Sequence, residues 1–147
     1  MSDYPTVHSK YSVQVVGGAI VDSLEKPTKL LVGQRSAPEE FAGRWEFPGG
    51  KVEEVESAHD ALVRELHEEL GVAVRLGSEI AGPHDQGWEL NEKAAMRVFF
   101  AEIVDGEPEA LQDHAQVRWV KLDRDILELD WIDADEPIVR ELLNIAL

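Results

Sequence analysis

A chain of 147 residues, 44% hydrophobic and 30% charged, has the size and balance of one ordinary globular domain with enough apolar surface for a core. Fourteen basic residues against thirty acidic ones give a formal charge of −16, which excludes a DNA- or RNA-binding role built on basic side chains. No apolar run is long enough for a membrane helix, the start Met1-Ser2-Asp3-Tyr4-Pro5 lacks the order of a secretory signal, and the lack of cysteine excludes disulfides and thiolate metal sites, a combination that fits a cytoplasmic protein.

Residues 1–10 read as a flexible N-terminal segment of a single domain covering 1–147. Residues 12–21 are β-rich and almost continuously apolar, the pattern of a buried strand. Residues 29–35 read as a neighbouring strand, joined through the polar turn at 23–28. A loop over 36–43 leads to the short strand Trp45-Glu46-Phe47 and the turn Pro48-Gly49-Gly50. Residues 57–70 form the clearest helix. Strands are expected at 72–80, 87–90, 95–103 and 116–120, and a closing helix at 136–146 places Ile138, Val139, Leu142, Leu143 and Ala146 at helical spacing. Without a regular βαβα repeat, an α+β layered architecture is expected rather than a doubly wound sheet.

The first helix has a readable start and stop. Ser57-Ala58-His59-Asp60 fits a capping box, in which Ser57 accepts from an early N–H and Asp60 answers back, an N-cap worth about 1 kcal/mol. Gly71 suits the left-handed residue that ends the helix. At about 100° per residue, Leu62, Val63, Leu66 and Leu70 fall on a side that should pack on the sheet. Glu65, Glu68 and Glu69 share an arc of about 100° beside it, with Arg64 at its far edge. Exposed, three such glutamates are simply solvated. Converging in a pocket, two carboxylates about 4 Å apart repel by roughly 4 kcal/mol at an effective dielectric of 20. A proton or a bound cation relieves that repulsion, and hard oxygen ligands suit Mg²⁺ or Mn²⁺.

Gly49-Gly50-Lys51 gives a backbone that a ligand can approach closely. Gly50, Glu56, Arg64, Glu65, Leu66, Glu68, Glu69, Gly71 and Val72 stand in the order Gly-x5-Glu-x7-Arg-Glu-Leu-x-Glu-Glu-x-Gly-Val. This resembles a complete Nudix box. The flanking Trp45-Glu46-Phe47-Pro48-Gly49-Gly50-Lys51-Val52-Glu53 looks like the MutT-type nucleoside triphosphate pyrophosphohydrolases, and the likeness runs from Gln34-Arg35 to Asp135-Glu136-Pro137.

The resemblance implies a Nudix fold, a mixed sheet layered between helices in an α/β/α sandwich. It also implies a divalent metal, Mg²⁺ with Mn²⁺ as alternative, held against a pyrophosphate. Glu68 and Glu69 are then metal ligands, helped by the Gly49 carbonyl. Glu65 is a ligand or the base that deprotonates water. Arg64 orients neighbouring carboxylates, and Glu56 supports the loop through Arg64. Glu107 sits where related enzymes place an additional metal-binding or base glutamate, or else is a surface turn residue. Arg35 and Lys51 are candidate contacts to phosphates, or ordinary surface charges.

In MutT-type enzymes a side chain before the last helix reads the nucleobase, and the equivalent position here is Asp135. Ionised, an aspartate only accepts hydrogen bonds. It therefore suits the exocyclic amine of cytosine or the extra N–H of oxidised guanine. Asp135 could instead N-cap the last helix, or do both. Phe47 either lines the base pocket or is core, and Trp88 and Trp131 share that ambiguity. His59, His67, His84 and His114 have no ligand spacing and read as surface or structural residues. The expected substrate is a small free nucleotide, with ADP-ribose or a nucleotide sugar as the alternative. A non-catalytic nucleotide-binding domain is the third reading, disfavoured because no box glutamate is missing. A homodimer is suggested by relatives rather than by any residue.

Overall fold

The structure, a computed structural model, describes residues 10–147, so the expected flexible segment falls outside the described residues except for Lys10. In chain order it contains β1 (Val13–Val21), β2 (Lys29–Arg35), β3 (Trp45–Glu46), β4 (Gly49–Lys51), α1 (Ala58–Leu70), β5 (Ala73–Ile80), β6 (Trp88–Glu89), β7 (Ala94–Asp105), β8 (His114–Lys121) and α2 (Glu136–Ala146). Two short 3₁₀ turns, Arg124–Glu128 and Asp133–Asp135, lead into α2.

The strands form one mixed sheet in the order β3-β2-β1-β7-β5, with β4 on β1, β6 on β7 and β8 on β2. β1 runs parallel to β7 from Val13↔Ala94 to Val21↔Glu102; the other pairings are antiparallel. β1 and β2 are neighbours as the sequence suggests, meeting at Val21↔Leu30. Farther along β1, Val16↔Gly50 and Gly17↔Gly49 pair it with β4, which brings the glycine turn to the middle of the sheet.

Alternation along the strands divides the core into two layers. Val16 and Ile20 of β1, Leu31 of β2 and Phe99 of β7 face α1, where Leu62, Leu66 and Leu70 meet them. Ala19, Val21, Leu30, Val32, Val98 and Phe100 face the other way, against Ile138, Val139, Leu142 and Leu143 of α2. The architecture is therefore α/β/α, the expected α+β Nudix fold. Each of the three α1 leucines is fully buried, worth roughly 1.5–3 kcal/mol apiece. Val63 departs from expectation: it is 40% exposed, because it falls just past Leu70 around the helix axis and outside the arc that the sheet covers. Among the described residues, no helix is long and apolar enough to cross a membrane.

Candidate active site

The helix start is half of the expected capping box. The Asp60 N–H donates to the Ser57 hydroxyl at 3.1 Å, and no return bond from the Asp60 carboxylate is made among the described residues. Gly71 closes the helix at φ 72°, its N–H donating to the His67 carbonyl. These ends fix where the glutamates stand relative to β4.

Arg64 organises the acidic face. Its Nε and Nη2 donate to the two Glu56 oxygens at 2.8 and 2.9 Å, the bidentate geometry a guanidinium favours. Nη1 reaches Glu65 Oε1 at 2.6 Å and Glu68 Oε2 at 3.2 Å, and Nη2 also donates to the Lys51 carbonyl at 3.1 Å. One arginine thus ties helix, loop and strand β4 together. Glu65 lies over the turn: a Cβ on Gly50 would come within 2.1 Å of its Oε2, so only glycine leaves room for that carboxylate.

The three box glutamates are not equivalent. The Glu68 side chain is 44% exposed. Glu65 is mostly covered, and Glu69 points inward with 10% of its side chain exposed. Burial pushes the Glu69 carboxyl well above the usual range, with Glu46 and Glu65 adding to the rise; His114 and the nearby Gly49 N–H pull the other way. Its Oε2 is buried and, among the described residues, has no hydrogen-bond partner. An orphaned carboxylate oxygen in an acidic neighbourhood fits a hard divalent cation, so the residues present suit the group that the box implies.

Two residues outside the box complete this corner. In β3, Trp45 faces α2, so alternation turns Glu46 toward α1. There Glu46 Oε2 accepts from His114 Nε2 at 2.8 Å. His114 opens β8 opposite Arg35, where a bulge shifts the β2–β8 register, and such bulges re-aim a side chain. Its ring is fully buried, with Nδ1 3.8 Å from Glu69 Oε2. Ligand atoms of Glu46, Glu69 and His114 all lie within 4.8 Å of one another. Burial opposes charge on the ring, but the Glu46 hydrogen bond and the charges of Glu46 and Glu69 outweigh it, and His114 titrates above the ordinary imidazole range. Of the two expectations for His114, the surface one is excluded by its burial; ligand spacing along the chain gives no hint of this cluster, because its neighbours come from β3 and α1.

The remaining candidates are placed as follows. Arg35 is committed to the Ala37 carbonyl at 2.8 Å, to Glu46 at 3.4 Å and to Asp113 at 3.7 Å. Lys51 is exposed at the end of β4, on the rim of an open groove lined also by Gln14, Val52 and Glu53. Glu107 stands apart, exposed in the turn after β7, with no hydrogen bond or ion pair among the described residues.

On the opposite side of β3, residues 130–132 run beside Trp45. The Trp45 N–H donates to the Asp130 carbonyl and the Ile132 N–H to the Trp45 carbonyl, both at 2.9 Å. Arg44 clamps this segment through the Trp131 carbonyl and Asp133, the latter at 2.7 Å. The Phe47 and Trp131 rings sit 5.5 Å apart, and both are buried. Trp88 is half-buried, its indole N–H donating to the Ile80 carbonyl. Asp135 is buried and accepts from the Phe47 N–H at 3.0 Å.

Two expectations for Asp135 change. Its side chain makes no capping bond to α2, because Phe47 engages it instead. Nor is it fixed as an ionised acceptor: burial pushes it up to about 7, with the Phe47 N–H opposing and Glu46 adding to the rise. Raised by burial, the carboxyl can also hold a proton and donate.

The Glu56–Arg64 pair yields a stability test. The Arg64 hydrogen bonds hold the Glu56 carboxyl down at about 2. A depressed carboxyl contributes stability that is whole above its unfolded value, 4.5, and is lost as pH falls toward the folded one. Glu56→Gln is expected to unfold more easily than wild type at neutral pH by roughly 1–3 kcal/mol, the gap closing between those two pH values. Urea titrations across that range measure it. A gap independent of pH would contradict the pairing.

A mixed sheet between two helices, with arginine-tied glutamates of the first helix set against a glycine turn, defines a Nudix-type hydrolase. The NUDIX domain model matches residues 13–142, and the chain belongs to that family, whose hydrolases depend on divalent metal. It is 39% identical over 135 residues to the putative 8-oxo-dGTP diphosphatase 2 of Mycobacterium tuberculosis, covering 87% of this chain and 86% of that one. It is 52% identical over 58 residues to the CTP pyrophosphohydrolase of Escherichia coli, 40% of this chain and 43% of the relative. Among solved structures it resembles the E. coli ORF135 protein with a TM-score of 0.73 at 30% identity, over 95% of this chain and 94% of that one.

Proposed function

We propose that the protein hydrolyses free (deoxy)nucleoside triphosphates to a nucleoside monophosphate and pyrophosphate, acting on cytidine-type or oxidised-guanine nucleotides of the cytoplasmic pool. The observation that carries this reading is the juxtaposition across β3: arginine-tied carboxylates and a glycine turn on one side, Asp135 bonded to Phe47 on the other. The relatives named for 8-oxo-dGTP and for CTP support the same substrate class.

In the reaction a water oxygen attacks phosphorus, the anhydride P–O bond breaks, and pyrophosphate leaves. The proton of the water passes to Glu65 in our assignment. Glu68, Glu69 and the Gly49 carbonyl would hold the cation. Bound there, Mg²⁺, or Mn²⁺ in its place, neutralises the phosphate oxygens that repel an attacking nucleophile. Arg64 holds Glu65 and Glu68 in position, so the carboxylates are arranged before substrate arrives. Lys51 is free to meet a phosphate, whereas Arg35 is already committed to Glu46 and Asp113.

Phe47 lines the base site and Asp135 reads the base edge. As a carboxylate Asp135 accepts from the cytosine amine or the extra N–H of oxidised guanine; as an acid it also donates. The experiment is Mg²⁺-dependent pyrophosphate release from dCTP, CTP, 5-methyl-dCTP, 8-oxo-dGTP and the other triphosphates, with ADP-ribose cleavage followed separately, for wild type and Asp135→Asn. The variant is expected to shift the ratio of kcat/KM between cytidine and oxidised-guanine substrates by about tenfold. An unchanged ranking removes Asp135 from recognition, and ADP-ribose as the best substrate overturns the triphosphate reading.

A further inference from the structure

The ring of His114 joins two carboxylates from different elements. Nε2 donates to Glu46 Oε2 at 2.8 Å, and Nδ1 faces Glu69 Oε2 at 3.8 Å. Both Nδ1 and that Glu69 oxygen are buried and, among the described residues, without a hydrogen-bond partner. The ring packs over Gly33 of β2, where a Cβ would come within 2.9 Å of its Cδ2 and Nε2, so only glycine leaves it that place. Glu46, in turn, is held by Arg35 at 3.4 Å.

Glu69 Oε2 therefore faces a ring that Glu46 holds from its far side. We propose that His114 is a positioning residue of the metal site, setting the direction in which the Glu69 carboxylate is presented, with Glu46 fixing the orientation of the ring. The inference rests on the reading of Glu69 as a metal ligand. It follows the physics of partners behind a ligand, which orient it and whose loss weakens metal binding without touching the metal. It also ties the metal corner to β3, since Glu46 precedes Phe47.

The test is Mn²⁺ binding to the nucleotide-free protein, followed by the electron paramagnetic resonance of free Mn²⁺, in His114→Phe, His114→Asn and His114→Gln. An asparagine amide reaches the place of Nδ1, beside Glu69; a glutamine amide reaches that of Nε2, beside Glu46. His114→Phe and His114→Gln are expected to weaken Mn²⁺ binding by about tenfold to a hundredfold, and His114→Asn by no more than about threefold. In turnover, the Mg²⁺ concentration for half-maximal rate should rise in step while the KM for nucleotide stays put. Melting in EDTA reports the fold separately.

A folded His114→Phe that binds Mn²⁺ as wild type does would make the histidine core filling and overturn the proposal. Should His114→Phe fail to fold, equal Mn²⁺ affinities for the Asn and Gln variants overturn it instead. Wild type that binds no Mn²⁺ overturns the ligand reading of Glu69 itself, an outcome distinct from the other two.

Discussion

Glu65→Gln and Glu68→Gln are each expected to lower kcat by about two to four orders of magnitude, with melting temperatures close to wild type. Glutamine keeps the size of the side chain and can still bond Arg64 through its carbonyl, so the helix and turn persist. What it loses is the negative charge, which both a metal ligand and a base require. Glu68 is half-exposed and carries little packing. Glu65 lies against Gly50, where an uncharged amide relieves repulsion among neighbouring carboxylates. The two roles separate experimentally. A variant lacking a ligand recovers rate as Mg²⁺ is raised, whereas one lacking the base does not and loses the acidic limb of its pH–rate profile. Pyrophosphate release with circular-dichroism melts measures both, and near-normal turnover by either variant would refute the assignment of these glutamates.

The sequence made the helix legible because its signals are local: a serine cap, a closing glycine and leucines four residues apart. It grouped Glu65, Glu68 and Glu69 into one arc, and the structure grades them along that arc. Counting about 100° per residue from Leu62, Glu69 falls within about 20° of that leucine, Glu65 about 60° away and Glu68 about 120°. Burial follows the same order, and Val63 falls off the opposite end. Glu46 was legible in principle, since alternation across Trp45-Glu46-Phe47 places it opposite two buried aromatics. His114 was not. Its partner Glu46 is 68 residues away, and the meeting depends on the β2–β8 register and a bulge that no local pattern announces. Asp135 shows the same limit: a residue before a helix reads as a cap, yet a backbone N–H 88 residues away engages its carboxylate because residues 130–132 run beside β3.

The buried acids make stability depend on pH and metal together. Asp135 rises from 3.8 to about 7 on folding, and burial raises Glu69 as well. A carboxyl raised by folding keeps its proton in the native state after the unfolded chain has released it. Stability is therefore greatest at or below the unfolded value and falls as pH climbs toward the folded one. His114, also raised, acts in the same direction, since a protonated native ring loses its advantage as pH passes its folded value. For Asp135 alone the loss reaches roughly 4 kcal/mol at most, and about 3 °C accompanies each kcal/mol in a chain of this length. Without metal, the melting temperature is thus expected to fall by about 5–10 °C between about pH 5 and pH 8. Millimolar Mg²⁺ should restore several degrees at the upper pH and almost none at the lower, because a cation at Glu69 must displace the proton held there. Scanning calorimetry in EDTA and in Mg²⁺ measures this directly. Glu69→Gln should abolish the metal increment, and Asp135→Asn should reduce the metal-free slope while leaving that increment in place. A melting temperature insensitive to pH in EDTA would mean that these acids are hydrated in solution. An Mg²⁺ increment of equal size at both pH values would place the cation away from Glu69.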